Sequence, residues 1–328
     1  MQRIAVIGAG AWGTALATVA RRAGRDVVIH AHEAETAAGI NDDHENKVFL
    51  PGIALDPAIV ATDDLAHAAD GADAIVMVTP AQFLRATLAE LAPAPGTPMI
   101  ICSKGIELDT GKLMNEVAEE TVPGTDLAVL SGPTFAAEVA RGLPTAVTLA
   151  GTNADTAAGL AAALGTPSFR PYTATDLIGA EVGGAIKNVI AIACGIVEGR
   201  ALGQNARAAI IARGLAEIAR FAAALDADPR TLMGLSGLGD LTLTCTSTAS
   251  RNYSLGAALG SGTPYADAIA GKSSVAEGAT TAPAVVTRAK ALGVEMPICA
   301  AVSAILHDGA GVDDTIAGIL ARPLRAEG

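Results

Sequence analysis

The chain has 328 residues, a formal net charge of −12, and a composition that is 51% hydrophobic but only 3% aromatic, with 36 glycines. That length allows two domains with well-buried cores. The acidic balance argues against a nucleic-acid partner, which wants a basic face, and means that any anionic ligand needs a local cluster of Lys, Arg and backbone N–H groups.

The N-terminus MQRIAVIGAG lacks the charged region, apolar stretch and cleavage site of a signal peptide, so a cytoplasmic protein is expected. Through the first half, short apolar runs alternate with helical patterns. Strands are predicted at Arg3–Ile7, Asp26–Ile29, Ala74–Val78, Met99–Cys102, Leu127–Leu130 and Ala146–Leu149. Between them, Thr14–Ala23, Phe83–Leu91, Lys112–Glu120 and Ala154–Leu164 read as helices. Apolar strands separated by helices predict a parallel sheet covered on both faces. From about Asp176 the strand signal stops, and Ile178–Val197, Ala206–Leu225, Tyr265–Ala270, Ala282–Leu292 and Ile298–Leu306 read as helices. The expected fold is therefore α/β: an N-terminal doubly wound Rossmann-type domain, residues 1–177, followed by an all-α domain, residues 178–328.

Gly8-Ala-Gly10-Ala-Trp-Gly13 is a GxGxxG run. Such runs are common, but this one follows a strand and opens a helix, as a dinucleotide site requires. Gly8 permits the tight turn, Gly10 lets the backbone approach a pyrophosphate, and Gly13 lets the helix pack on the strand. The helix N-terminus adds N–H donors. After the second strand, where an acid would hold the ribose of NAD, the run is Ile29-His-Ala-His32-Glu33. His32 leans the reading towards NADP, while Glu33 keeps NAD open. Thr79 and Pro80 end a further strand at the carboxyl edge, as one wall of a nicotinamide site or as an ordinary turn.

Lys104 follows the strand Met99–Cys102 and emerges at the same edge; a solvated loop lysine is the alternative. Ser131-Gly-Pro-Thr134-Phe-Ala136 follows the next strand, and its Thr134 either presents a donor to an anion or caps the helix behind it. Lys187 lies in Glu181-Val-Gly-Gly-Ala-Ile-Lys-Asn188, part of an otherwise apolar helix. A lone ammonium there must snorkel, find a partner or lose its proton easily, which marks a working residue. Glu181, Lys187 and Asn188 also interrupt the apolar stretch, so no membrane span is expected. Asp240, in a Gly-rich apolar setting, could partner such an ammonium. Ser250, Arg251 and Asn252 would suit a phosphate dianion, unless they are simply a polar surface loop. Cys102, Cys194, Cys245 and Cys299 show no paired spacing, so reduced buried thiols are expected, with no metal site and no disulfide framework.

Together GAGAWG, SKGIE, SGPTFAAEV, EVGGAIKNVIAIACGI and LGDLTLTCTSTASRN resemble the bacterial glycerol-3-phosphate dehydrogenase family, with similarity over essentially the whole chain. The resemblance implies NADPH- or NADH-dependent reduction of dihydroxyacetone phosphate to sn-glycerol 3-phosphate, which supplies phospholipid synthesis. It implies Lys187 as proton donor and acceptor, and Lys104 as a contact of cofactor and substrate. Gly132, Thr134, Asp240, Ser250, Arg251 and Asn252 then fall at substrate positions. Ala11, Trp12, His32, Phe49, Ala136, Arg251, Val275 and Glu277 fall at cofactor positions beside the glycines. Ala11 stands where Ser is frequent in the family, which removes a hydroxyl but keeps the backbone N–H. A homodimer is the expected assembly. Two rivals remain at this level: a ketopantoate or β-hydroxyacid dehydrogenase of similar architecture, and a non-catalytic NADP-sensing protein.

Overall fold

The computed structural model describes residues 1–91, 93–270 and 276–323. The chain opens β1 (Arg3–Ile7), α1 (Ala11–Arg22), β2 (Asp26–His30), α2 (Ala34–Asp42), β3 (Ile59–Thr62) and α3 (Leu65–Ala69). Next come β4 (Ala74–Met77), a 3-10 turn at Ala81–Phe83, α4 (Leu84–Leu91), β5 (Met99–Ile101) and α5 (Met114–Thr121). β6 (Leu127–Ser131), α6 (Ala136–Ala140), β7 (Thr145–Gly151), α7 (Ala154–Leu164) and β8 (Phe169–Ala174) complete this half. The strands form one sheet in the order β3-β2-β1-β4-β5-β6-β7-β8. β1 pairs in parallel with both β2 and β4, so the chain changes direction of growth there. A cleft opens at the carboxyl ends of the strands at such a switch point, and ligands bind in it.

All six predicted strands are present, but the sheet is not wholly parallel. β7 runs antiparallel to β6, with Ser131 opposite Thr148, and β8 runs parallel to β7. The cause is local. α6 has five residues and climbs only about 7–8 Å, whereas β6 is about 16 Å long. The connection does not return the chain to the amino edge, and β7 re-enters from the carboxyl edge. β3 and β8 were not visible in the sequence. Both lie at the sheet's edges, where the strands alternate with exposed positions and where Pro171 loses no ladder bond.

The second half contains helices alone among its described residues: α8 (Leu177–Gly199), α9 (Gly203–Ala223), α10 (Pro229–Leu232), α11 (Asp240–Cys245) and α12 (Arg251–Gly260), with a π-type turn at Leu235–Gly239 before α11. α13 (Tyr265–Ile269), α14 (Glu277–Ala291), α15 (Pro297–His307) and α16 (Val312–Leu320) follow. α8 is the axis of this half. Among the described residues it alone is long and apolar enough to cross a membrane, yet its apolar stretch is enclosed by the protein. Its first turn, Leu177 and Ala180, packs into the core beneath β1, β4 and β5. From Val182 onward it belongs to the helical core, with Phe221, Leu241 and Val285. One helix thus joins both halves, and Lys187 lies along it just past the junction.

α12 lies against α8 backbone to backbone. A Cβ on Gly256 would stand 2.0 Å from the Ile192 carbonyl oxygen, and one on Gly195 would stand 2.0 Å from that of Tyr253. Only glycine permits this approach, and it sets the N-terminus of α12 beside α8.

Candidate active site

The glycine run builds the turn between β1 and α1. Gly8 has φ +116, a conformation natural to glycine alone, and a Cβ on it would press on the Val78–Thr79 peptide. Gly13 packs so tightly that a Cβ would lie 1.8 Å from the Gly8 carbonyl oxygen. Gly10, the N-cap of α1, is the opposite case: a Cβ there would meet nothing within 4 Å, and no side chain caps the helix. The space beside Gly10 at the start of α1 is therefore open and its first amides are uncapped by a side chain, as an incoming pyrophosphate requires. Ala11 and Trp12 form the first turn of α1. Asn46, buried and not singled out in the sequence, donates to Ala9 O and Thr14 Oγ1 at 2.8 Å each and accepts from Phe49 N at 3.1 Å. It ties the Phe49 loop to the glycine turn. His32 is exposed just beyond β2, followed by Glu33, the N-cap of α2.

Across the cleft, Asp240 opens α11 fully buried and carries two ammoniums. Lys187 Nζ lies 2.5 Å from Asp240 Oδ1, and Lys104 Nζ lies 2.7 Å from Oδ2. Lys187 also donates to Thr244 Oγ1 at 2.9 Å, and that hydroxyl donates to Asp240 O at 2.6 Å. The two lysines are not equivalent. Burial pulls the Lys187 ammonium down to about 8, against the attraction of Asp240 and with the repulsion of Lys104. For Lys104, burial pulls the same way, but Asp240 outweighs it and the group ends above its ordinary value. The physical difference is depth: the Lys187 side chain is 7% exposed and that of Lys104 is 17%. Of the two, Lys187 is the ammonium held below its ordinary value.

Glu277, at the start of α14, faces this cluster. Burial raises its carboxyl, while Arg251, Lys104 and Lys187 draw it down. Ser250 is the N-cap of α12 and accepts from Tyr253 N at 3.2 Å, and Asn252 Oδ1 accepts from Gly278 N at 2.9 Å. Both side chains are thus partly spent on local structure. Arg251, between them on the first turn of α12, is exposed. Thr134 does not cap α6; its hydroxyl turns back to Gly132 O at 3.3 Å, and Phe135 holds the N-cap position before Ala136. Val275 lies outside the described residues.

Glu181, one and a half turns before Lys187, is a buried carboxyl on the N-terminus of α5. It accepts from Met114 N, and from Asn115 N at 3.2 Å. A cavity of about 90 Å³ lies between the 3-10 turn and α14, lined by Pro80, Phe83, Lys104, Glu277 and Thr281 among others. Phe83 is 63% exposed at its edge. The sequence signal for Phe83 was present: an aromatic ring, rare in this chain, one turn past a strand's carboxyl end.

A glycine turn open to a pyrophosphate, facing a buried lysine pair across the sheet's carboxyl edge, defines the class: a dinucleotide-dependent oxidoreductase built of a Rossmann half and a helical half. The family model described as NAD-dependent glycerol-3-phosphate dehydrogenase N-terminus matches residues 3–157, and its C-terminus counterpart matches residues 176–317. The glycerol-3-phosphate dehydrogenase [NAD(P)+] of Caulobacter vibrioides is 58% identical, over 99% of each chain. That of Parvibaculum lavamentivorans is 56% identical, over 99% of this chain and 98% of its own. The crystal structure of glycerol-3-phosphate dehydrogenase from Coxiella burnetii superposes with a TM-score of 0.94 at 36% identity, covering 98% of this chain and 99% of that one. The chain belongs to the NAD-dependent glycerol-3-phosphate dehydrogenase family.

Proposed function

We propose that the protein catalyses the reversible NAD(P)H-dependent reduction of dihydroxyacetone phosphate to sn-glycerol 3-phosphate, with Lys187 as general acid and, in reverse, general base. The observation that carries the lysine's role is the buried Lys187–Asp240 pair, reached by Lys104 from the carboxyl edge of the sheet. The Rossmann half, residues 1–177, holds the cofactor through Gly8, Gly10, Ala11, Trp12 and Gly13, with His32 and Phe49 at the adenosine end and Ala136 further along; Glu277 and Val275 join from residues 178–328. The helical half, residues 178–328, supplies the proton.

When bound, NAD(P)H would supply the hydride that reduces the ketone carbon. As the carbonyl oxygen becomes an alkoxide, Lys187 Nζ gives it a proton and remains on Asp240 as a neutral amine. Asp240 and Thr244 aim that nitrogen. Lys104, which keeps its proton, stabilises the negative charge developing on the oxygen. Arg251 and the amides at the start of α12 hold the phosphate, with Ser250, Asn252, Gly132 and Thr134 around it, so the carbonyl is fixed for attack. His32, just beyond β2, supports a preference for NADP, while Glu33 beside it leaves NAD open. A cytoplasmic homodimer supplying glycerol phosphate for phospholipid synthesis completes the reading.

The test mixes the protein with dihydroxyacetone phosphate and NADPH or NADH and follows the reduced-nicotinamide absorbance. Oxidation of at least one cofactor is expected, and Lys187→Ala is expected to lower kcat by about 10²–10⁴-fold. No oxidation with either cofactor defeats the assignment, and a Lys187→Ala variant with most of its turnover defeats the role of the lysine.

A further inference from the structure

Lys104 belongs by sequence to the Rossmann half, yet its ammonium works in the helical half. The segment that carries it, between β5 and α5, is a small hairpin. Glu107 N donates to Lys112 O and Gly111 N donates to Glu107 O, both at 2.9 Å, and Ile106 bridges to Leu113. Ile106 and Leu113 are buried in the helical core rather than the core of their own half. Such an arm has no sheet neighbours to set its position. The turn after β4 holds it instead.

Ser103 Oγ donates to Thr79 O at 2.5 Å. Gln82 Nε2 donates to Ile106 O at 2.8 Å, and its Oε1 accepts from Leu108 N at 3.0 Å. One turn further, Arg85 Nε and Nη2 meet Glu107 Oε1 and Oε2 at 2.9 and 2.8 Å, a bidentate pair, with Thr110 Oγ1 donating to Oε2 at 2.6 Å. The approach is close: a Cβ on Gly105 would lie 2.8 Å from the Cβ of Ala81. Gln82 grips both sides of Glu107 along the backbone, and Arg85 grips its side chain.

We propose that Gln82 and the Arg85–Glu107 pair are positioning residues for the reaction, clamping the hairpin so that the Lys104 ammonium stands on Asp240 opposite Lys187. This rests on the reading of Lys187 as the proton donor. The groups facing Lys187 are Asp240 and Thr244 from α11, Lys104 from the hairpin, Glu277 from α14, and the Cys245 thiol, with Arg251 acting on Glu277. Burial is the main cause that pulls the Lys187 ammonium down, and of these groups Lys104 is the like charge that adds to it. Loosening the clamp removes that repulsion and leaves both carboxylate oxygens of Asp240 to Lys187, so Lys187 keeps its proton to higher pH.

The decisive variant is Gln82→Leu, which exchanges a neutral side chain for a neutral one and so has no direct charge effect on Lys187. Glu107→Ala is its companion, and Glu107→Gln, which keeps an acceptor for Arg85, is the rescue. Two quantities are read: the pH profile of kcat for ketone reduction, and the ionisation of Lys187 by NMR of its side chain, assigned against Lys187→Met. The high-pH limb of kcat and the NMR titration of Lys187 are both expected to move up by about 1 pH unit. The plateau kcat is expected to fall roughly 10–100-fold, with part of both changes reversed in Glu107→Gln. An NMR shift without a shift in the rate limb upholds the clamp and sinks the role of Lys187. If neither moves in folded Gln82→Leu while Lys187→Ala is inactive, the clamp is overturned. Should Glu107→Ala fail to fold, Gln82→Leu decides alone.

Discussion

Asp240 divides its two oxygens between two ammoniums, Lys187 on Oδ1 and Lys104 on Oδ2. Three charged groups withdrawn from water carry a large desolvation penalty, and their mutual geometry offsets it only while all three stay in place. The deeper lysine bears more of that penalty and loses its proton more readily. Glu181 poses a related problem on the same helix. Burial raises its carboxyl to about 8, against the bonds from the Asn115 and Met114 amides that favour the charged form. Because the folded-state value lies above that of the unfolded chain, Glu181's contribution to stability is fully present below the unfolded value, near 4.5, and is lost as pH rises through about 8. Glu181→Gln keeps an acceptor for the α5 amides and cannot ionise. Its thermal midpoint is therefore expected to fall less than that of the native protein between pH 5 and 9, by calorimetry; parallel curves would refute this. Lys187 was legible in the sequence because an ammonium in an apolar helix is anomalous wherever it ends up. Glu181, Thr244 and Asn46 were not, since each is an ordinary polar residue until a distant segment meets it.

At the scale of elements, the backbone contact between α8 and α12 sets the position of α12, which carries Arg251, the residue proposed to hold the phosphate. Gly195 and Gly199 on α8 face Gly256 and Gly260 on α12, each a glycine-x₃-glycine spacing that exposes a strip of backbone. Gly256→Ala would force the helices apart, and overpacking of this kind costs about 1–3 kcal/mol. The expected result is that loss in denaturant titration, with a raised KM for dihydroxyacetone phosphate because α12 carries Arg251. Loss of stability with an unchanged KM would separate the helix contact from the substrate site. The long helices were readable from apolar periodicity, and the six central strands from their continuous apolar runs. β3 and β8 escaped because edge strands bury only alternate side chains and so resemble loops. The direction of β7 escaped because it depends on the reach of α6, which the residues of β7 do not encode.

For the molecule as a whole, a net charge of −12 coexists with a ligand set that is entirely anionic. Positive charge gathers where Lys104 arrives from the Rossmann half and Lys187 and Arg251 from the helical half, all acting on Glu277. A ligand bound there holds both halves at once. NADPH with glycerol 3-phosphate, a pair that cannot react together, is expected to raise the thermal midpoint more than NADPH alone. A ligand at 100 times its dissociation constant adds about 2.7 kcal/mol, and no additional shift with the second ligand would count against a shared seam. The sequence by itself determined the glycine turn, the alternation of strand and helix, and the oddity of Lys187, because each rests on neighbours within a few residues. Only the tertiary structure decided what Lys187 meets: Asp240 lies 53 residues away, and Lys104 lies 136 residues from that same carboxylate. The lowering of the Lys187 ammonium follows from burial and from those contacts, which belong to packing and to no single segment of the chain.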